Sequence, residues 1–227
     1  MADAGITSGA PSWLAFDLAE IEQRHAGTGR DYFEFLDEQS MNAGLYLVEA
    51  GEDDHQSPHA LDEIYYVVRG RADFFADGDI LQTGAGDVIY VRSGIEHRFQ
   101  NITDTLETIV VFVSFEPSTD DPAWRIFHRI DQVQGENPDE NVWNDFLEVS
   151  TLTTGLYMLP ATLGGDEVLT HEIDEINIVI EGKAGFSMGE DEIEVGPGSI
   201  VYVHNGVGHK FHSLTGDFKV IILFAKQ

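Results

Sequence analysis

The chain has 227 residues, 42% hydrophobic and 11% aromatic, enough apolar side chains for packed cores in one large or two small domains, which excludes wholesale disorder. Its 41 acidic residues against 12 basic ones give a formal net charge of −29, which excludes the basic surface that nucleic acid or an anionic membrane needs. With no cysteine, disulfides and thiolate ligands are excluded too, and any metal must take His, carboxylate or water.

No stretch approaches the roughly 18 apolar residues of a membrane span. The opening residues, MADAGITSGAPSWL, lack the basic and apolar regions of a signal peptide, so a cytoplasmic protein is expected. The acidic residues are dispersed rather than gathered into a tail. Such a balance suits a halophilic cytoplasm of molar salt, where the Debye length falls to roughly 3 Å and self-repulsion is screened.

In chain order, residues 13–25 read as helical or irregular and 26–31 as a loop. Short β-branched or aromatic runs follow, punctuated by Gly or Asp: GLYLVEA (44–50), EIYYVVRG (63–70), DVIYVRSG (87–94) and TIVVFVSF (108–115). After a polar, turn-rich stretch from Pro117 to Asp121 the order starts again. Residues 124–134 read as helical or irregular and 135–141 as a loop, followed by GLYMLPA (155–161), EINIVIEG (175–182), SIVYVHNG (199–206) and KVIILFA (219–225). Strands of this length and spacing predict an all-β sandwich or barrel.

The second half repeats the first. Residues 59–112 align without gaps on 171–224, with 19 of 54 pairs identical. Even the beginning recurs, since Pro11-x-Trp13-x-x-Phe16 returns as Pro122-x-Trp124-x-x-Phe127. The expected units are therefore 1–117 and 122–227, with 118–121 as linker.

His, Glu and His survive in both copies while their neighbours have diverged. His59 and Glu63 are four apart, as are His171 and Glu175. On one straight strand their Cα atoms would lie about 13 Å apart, too far to share an ion. The chain must turn between them, and Pro58 and Asp62 sit where a turn needs them, so His59 is expected to end one strand and Glu63 to begin the next. The third member follows a glycine turn, in Gly94-x-x-His97 and Gly206-x-x-His209. Two His and one carboxylate with open positions suit a divalent ion: Fe(II) first, with Mn, Ni, Co or Zn as alternatives. The plainer alternative is a polar cluster satisfied by water.

The first unit reads His59-x3-Glu63-x6-Gly70, then Gly86-x5-Arg92-x-Gly94-x2-His97-x3-Asn101; the second reads His171-x3-Glu175-x6-Gly182, then Gly198-x5-His204-x-Gly206-x2-His209-x3-Ser213. This resembles the two motifs of the cupin superfamily, and their duplication resembles a bicupin. The resemblance implies two tandem double-stranded β-helix, or jelly-roll, barrels forming an intramolecular pseudo-dimer. It implies one metal held by His59, Glu63 and His97 and another by His171, Glu175 and His209. Ser57 and Leu169 stand where the pattern usually has a first histidine, which leaves three protein ligands. Arg92 and His204 replace its usual proline, and Ser213 its usual Asn.

Several neighbours are candidate pocket residues. His55 and Ser57 would share one face with His59 on an extended strand, so His55 is either a fourth ligand or a surface residue. Tyr65 shares the face of Glu63, and Asn177 that of Glu175, either as a pocket contact or as a satisfied core amide. Phe99 and Phe211 share the faces of His97 and His209, either as pocket walls or as core. The opposite faces, Ile64, Tyr66 and Val68 and their counterparts Ile176, Ile178 and Ile180, are apolar and predict barrels packed face to face. The expected function is a metal-dependent enzyme on a small organic substrate, dioxygenase-like or isomerase- or decarboxylase-like; the alternative is a non-catalytic small-molecule or metal-binding module. A homo-oligomer is compatible with either.

Overall fold

The structure, a computed structural model, describes residues 11–134, 140–162, 165 and 167–226; most of the 135–141 loop therefore lies outside the described residues. The segment expected to be helical or irregular begins instead as a strand, β1 (Trp13–Asp17), and then turns into helix α1 (Leu18–His25). The Asp17 carboxylate starts the helix by accepting from the amides of Ala19 and Glu20.

The first barrel comprises β2 (Tyr32–Asp37), β3 (Met41–Val48), β4 (Asp62–Ala76), β5 (Asp79–Gly84), β6 (Val88–Val91) and β7 (His97–Val113). Strand β8 (Trp124–Phe127) and a single 3-10 turn (Ile130–Gln132) follow the linker. The second barrel comprises β9 (Val142–Glu148), β10 (Leu152–Leu159), β11 (Glu175–Glu181), β12 (Ala184–Met188), β13 (Asp191–Val195), β14 (Ser199–Val203), β15 (His209–His212) and β16 (Phe218–Ala225).

The pairing crosses the repeat. One sheet runs β2-β3-β7-β4-β6-β8, with β5 on β4; the others run β1-β14-β11-β16-β10-β9 and β13-β12-β15. Trp13 lies opposite Val203 and Phe16 opposite Ile200, while Trp124 lies opposite Val91 and Phe127 opposite Val88. Each unit therefore gives its first strand to the other unit's sheet. The exchange is symmetric, because Val91 and Val203 are the same position of the repeat.

Strand alternation sorts β4 and β11 into two faces. Tyr65 and Val67 join Phe74 and Phe99 inside the first barrel; Val179 joins Phe186, Phe211 and Phe218 inside the second. The opposite faces meet. Ile64, Ile176 and Ile178 are buried in one core that spans both units, with Tyr66, Val68 and Ile180 packed against it. The barrels thus pack face to face across a continuous apolar seam.

Two aspartates, Asp62 buried and Asp174 partly buried, clamp that seam at related positions. Asp62 accepts from Tyr90 (3.0 Å), from the Ser93 amide (2.8 Å) and, across the seam, from Thr151 (2.7 Å). Asp174 accepts from Tyr202 (2.8 Å), from the Asn205 amide (2.8 Å) and, across the seam, from Ser40 (2.5 Å). An ion pair also repeats with its signs exchanged: Arg69 to Glu107 at 2.9 Å in the first unit, Lys219 to Glu181 at 2.9 Å in the second.

No helix among the described residues is long and apolar enough to cross a membrane. The net charge of −29 carries an expectation for stability. Screening of mutually repelling surface carboxylates should place the thermal midpoint higher in molar KCl than in dilute buffer. An equal or lower midpoint in salt would remove the halophilic reading.

Candidate metal centres

Glu63 and Glu175 sit at the start of their strands, opposite Val91 and Phe112 in one barrel and Val203 and Phe224 in the other, so both carboxylates point inward. His97 and His209 begin β7 and β15. His59 and His171 differ from expectation: neither ends a strand. Each lies in an irregular segment held by its own carbonyl, which accepts from Gly94 (2.8 Å) and Gly206 (2.7 Å) respectively. Those glycines have φ of +74° and +76°, a left-handed conformation that a side chain would strain. The glycine turn that delivers the third residue of each triad therefore also fastens the first.

The structure brings all six predicted residues together as two triads, with donor atoms in each within 4.8 Å of one another. In the first, His97 Nε2 lies 2.6 Å from Glu63 Oε1, and His59 Nδ1 lies 3.2 Å from the same oxygen. In the second, His209 Nε2 lies 2.9 Å from Glu175 Oε1, and His171 Nε2 lies 3.6 Å from Oε2. The other ring nitrogens of His97 and His209 are committed to the backbone carbonyls of Ile95 (2.8 Å) and Val207 (3.0 Å). A carbonyl only accepts, so Nδ1 carries a proton and Nε2 is the nitrogen turned toward the carboxylate. Glu63 Oε2 and Glu175 Oε2 are buried and accept no hydrogen bond. A buried carboxylate facing two imidazoles, with one carboxylate oxygen left unpartnered, is a donor set that could hold a cation once the histidines give up their protons, so the residues fit a divalent metal.

The electrostatics agree. Burial pushes the Glu63 carboxyl up, but hydrogen bonds from His59 and His97 outweigh it and hold the group below its ordinary range. Burial pulls His97 and His209 down, but the facing carboxylates, Glu63 and Glu175, and the backbone carbonyls outweigh it and raise both.

The two mouths differ. A cavity of about 600 Å³ opens beside the first triad, with His59, Tyr65, Tyr32, Tyr46, Gln56 and Phe112 among its walls. The corresponding space beside His171, Asn177 and His209 is about 20 Å³ and is packed with Leu159, Leu169 and Phe211. The cause is local. In the second barrel Leu169 pairs with His209 by two backbone hydrogen bonds (2.8 and 2.9 Å), zipping the incoming chain onto β15. In the first barrel no Ser57–His97 bridge is found among the described residues, and the strap meets β7 through a side chain, the Asp54 carboxylate accepting from the Phe99 amide (2.7 Å).

Among the candidate pocket residues, Tyr65 and His55 line the first cavity and Asn177 and Phe211 the second. His55 is exposed and lies outside the triad. Ser57 is exposed and absent from the wall, and Phe99 is core, edge-on to Tyr65 at 5.3 Å. Asn177 is a wall residue and only half satisfied as an amide, giving its Nδ2 to Glu175 Oε1 at 3.0 Å while its buried Oδ1 has no partner. Asp54 and Gln56 were not singled out from the sequence, although Asp54 organises the strap by accepting from Tyr46 (2.6 Å), Gln56 and Phe99. Their signal is a polar stretch, Glu52 to Ser57, that the second copy matches only at Asp54, which aligns with Asp166.

Comparison with known proteins agrees with this architecture. An uncharacterized protein of Streptomyces coelicolor is 43% identical over 98 residues, which is 43% of this chain but 93% of that protein, so the relative has the length of one repeat. A cupin 2 conserved barrel protein from Leptotrichia buccalis superposes with a TM-score of 0.71 at 13% identity, covering 94% of this chain and 96% of its own. Salicylate 1,2-dioxygenase from Pseudaminobacter salicylatoxidans does so with a TM-score of 0.76 at 12% identity, covering 98% and 87%. At such identities the likeness concerns the fold alone. The Cupin_2 family, described as a cupin domain, matches residues 44–114 and 157–225, more than half of the chain and both copies of the repeat, and the chain therefore belongs to the cupin family.

Proposed function

We propose that the chain is a metal-dependent enzyme that acts on a small organic substrate in the N-terminal barrel, with an oxygenase as the leading reaction class. The observation carrying this reading is the cavity of about 600 Å³ with His59 and Tyr65 in its wall. It falls within the size range of small-molecule sites, roughly 300–1,000 Å³. Tyr32, Tyr46, Val110 and Phe112 give it broad apolar surfaces, while Gln56, Asn42 and Arg30 supply polar groups, a lining suited to a planar molecule with oxygen substituents. The C-terminal triad, with about 20 Å³ beside it, is read as a centre that holds an ion without admitting substrate.

In the N-terminal barrel Glu63 and His97 are buried and fix the donor set, while His59 is a third exposed and stands at the mouth. The apolar walls exclude bulk water from the face of a bound substrate. Iron(II) held there would supply redox chemistry with dioxygen, whereas zinc would supply Lewis acidity alone. The fold shared with a salicylate 1,2-dioxygenase supports the first.

The test starts with metal analysis of protein purified without an affinity tag or added metal. Oxygen uptake is then followed with a panel of hydroxylated aromatic acids. Iron in the preparation, with uptake that His59→Ala abolishes and His171→Ala spares, is the expected result. Ligand binding at the first cavity without turnover under any metal would leave the binding-module reading in its place.

A further inference from the structure

We propose that the molecule taken by the N-terminal barrel carries a carboxylate, and that Arg30, at the mouth of the cavity, is the residue that selects it. This rests on the reading of that cavity as the substrate site and names the chemical class the site takes.

Arg30 lines the cavity of about 600 Å³ together with His59 and Tyr65. Tyr65 is buried and Arg30 exposed, so they mark the floor and the rim. The backbone at Arg30 is pinned from both sides. The buried ring of His25 donates from Nε2 to the Arg30 carbonyl, and the Leu47 amide of β3 donates to the next carbonyl, that of Asp31, at 2.8 Å. Thr28 Oγ1 gives its proton to the His25 carbonyl at 2.8 Å and accepts from the Arg30 amide at 3.3 Å. The long side chain therefore swings from a fixed point beside the mouth.

Most guanidinium groups of the chain are already engaged. Arg69, Arg98 and Arg129 pair with carboxylates, Arg92 and Arg125 donate to backbone carbonyls, and Arg24 lies over the Phe33 ring. Arg30 has no such partner among the described residues, although Asp31 and Glu34 line the same mouth. Its planar fork matches a carboxylate with two parallel hydrogen bonds, which no neutral group accepts as well. The other end of the cavity agrees in sign. Glu63 is the one charged member of its triad, so a divalent ion held there leaves one unit of positive charge. An organic acid thus meets positive charge at the rim and at the floor, between the flat walls of Tyr32, Tyr46 and Phe112. The net charge of −29 repels anions at long range, but at physiological salt it is screened beyond roughly 8 Å and the local groups decide.

The second barrel supplies the contrast. By the spacing that relates Phe35 to Phe146, Arg30 corresponds to Asn141, which lines the cavity of about 20 Å³. The open cavity has a cation at this place in its wall and the closed one a neutral amide.

The experiment uses the full chain loaded with zinc, which supplies no redox chemistry, so that binding is read without turnover. The probes are two matched pairs, benzoate with benzamide and phenylacetate with phenylacetamide. Calorimetry should find the acid of at least one pair bound about tenfold or more tightly than its amide, a preference that shrinks in molar KCl. Arg30→Gln should abolish the preference by weakening the acid alone, and Arg30→Lys should keep part of it. Zinc content and thermal midpoint should stay as in the parent, because the Arg30 side chain is exposed. The comparison of acid with amide needs no variant and stands by itself. Amides bound as tightly as acids, or a preference for the acid that survives Arg30→Gln, overturns the assignment of Arg30 while leaving the cavity as the substrate site. Binding of none of the four probes overturns the reading of the cavity along with it.

Discussion

A chain carrying Glu63→Ala should bind one divalent ion where the parent binds two. Each triad is closed within its own barrel, so removing one carboxylate empties one centre and leaves His171, Glu175 and His209 untouched. Glu175→Ala should do the converse. The fold should survive either change, because the apolar cores and the seam lie away from these groups. Metal content by mass spectrometry under native conditions reads the result directly; two ions retained by both variants would sink the assignment. The pH dependence follows from the raised histidines. A metal must displace the proton from His97 and His209, so affinity should fall as pH drops through a range that begins above the ordinary histidine value. In the metal-free protein the sign reverses. A histidine raised in the folded state contributes stability that is complete below its unfolded value, about 6.5, and lost as pH rises through the folded value. Across neutrality the metal-free chain should therefore lose stability with rising pH while the metal-loaded chain gains it. Parallel trends for the two forms would show that these histidines do not titrate against a metal.

Replacing Asp62 by Ala should cost about 3 kcal/mol or more, because it leaves the buried donors of Tyr90 and Thr151 and the partly buried Ser93 amide without an acceptor. Asp62 is fully buried, so water cannot stand in for the lost carboxylate. For a chain of this length each kcal/mol moves the thermal midpoint by about 2–4 °C, so a fall of roughly 10 °C is expected in metal-free protein. The related Asp174→Ala should cost less, since that side chain is 12% exposed and solvent can reach its partners. Chemical unfolding of both variants checks the order. A loss below about 1 kcal/mol at Asp62, or a larger loss at Asp174, would remove the clamp from the account of the seam.

The duplication and both triads were legible in the sequence because a repeat is its own control: His59, Glu63 and His97 recur at a fixed offset among residues that changed. The inward and outward faces of β4 and β11 followed from alternation alone. Strand β1 was not legible, because what makes Trp13–Asp17 a strand is β14 in the other unit, and no local pattern carries a partner so distant in sequence. The irregular backbone at His59 was missed for a similar reason, being held by Gly94 rather than by a ladder. The unequal cavities were out of reach too. They turn on whether the chain before each first histidine zips onto the strand of the third, and Gln56 aligns with Val168, so the comparison of the two copies does not draw attention to it.

The exchange of first strands changes what the linker is for. Residues 118–121 join two halves that already hold one another by β1 on β14, by β8 on β6 and by the shared seam. A single proteolytic nick there leaves a particle of two fragments rather than two released domains. A half produced alone is in a different position: its own first strand has nothing to lie on, and β6 or β14 is left with a bare edge beside an uncovered apolar face. Such a half can close its barrel only by trading first strands with a second copy of itself, so the intact chain is in effect a dimer whose stoichiometry has been made permanent by one peptide connection.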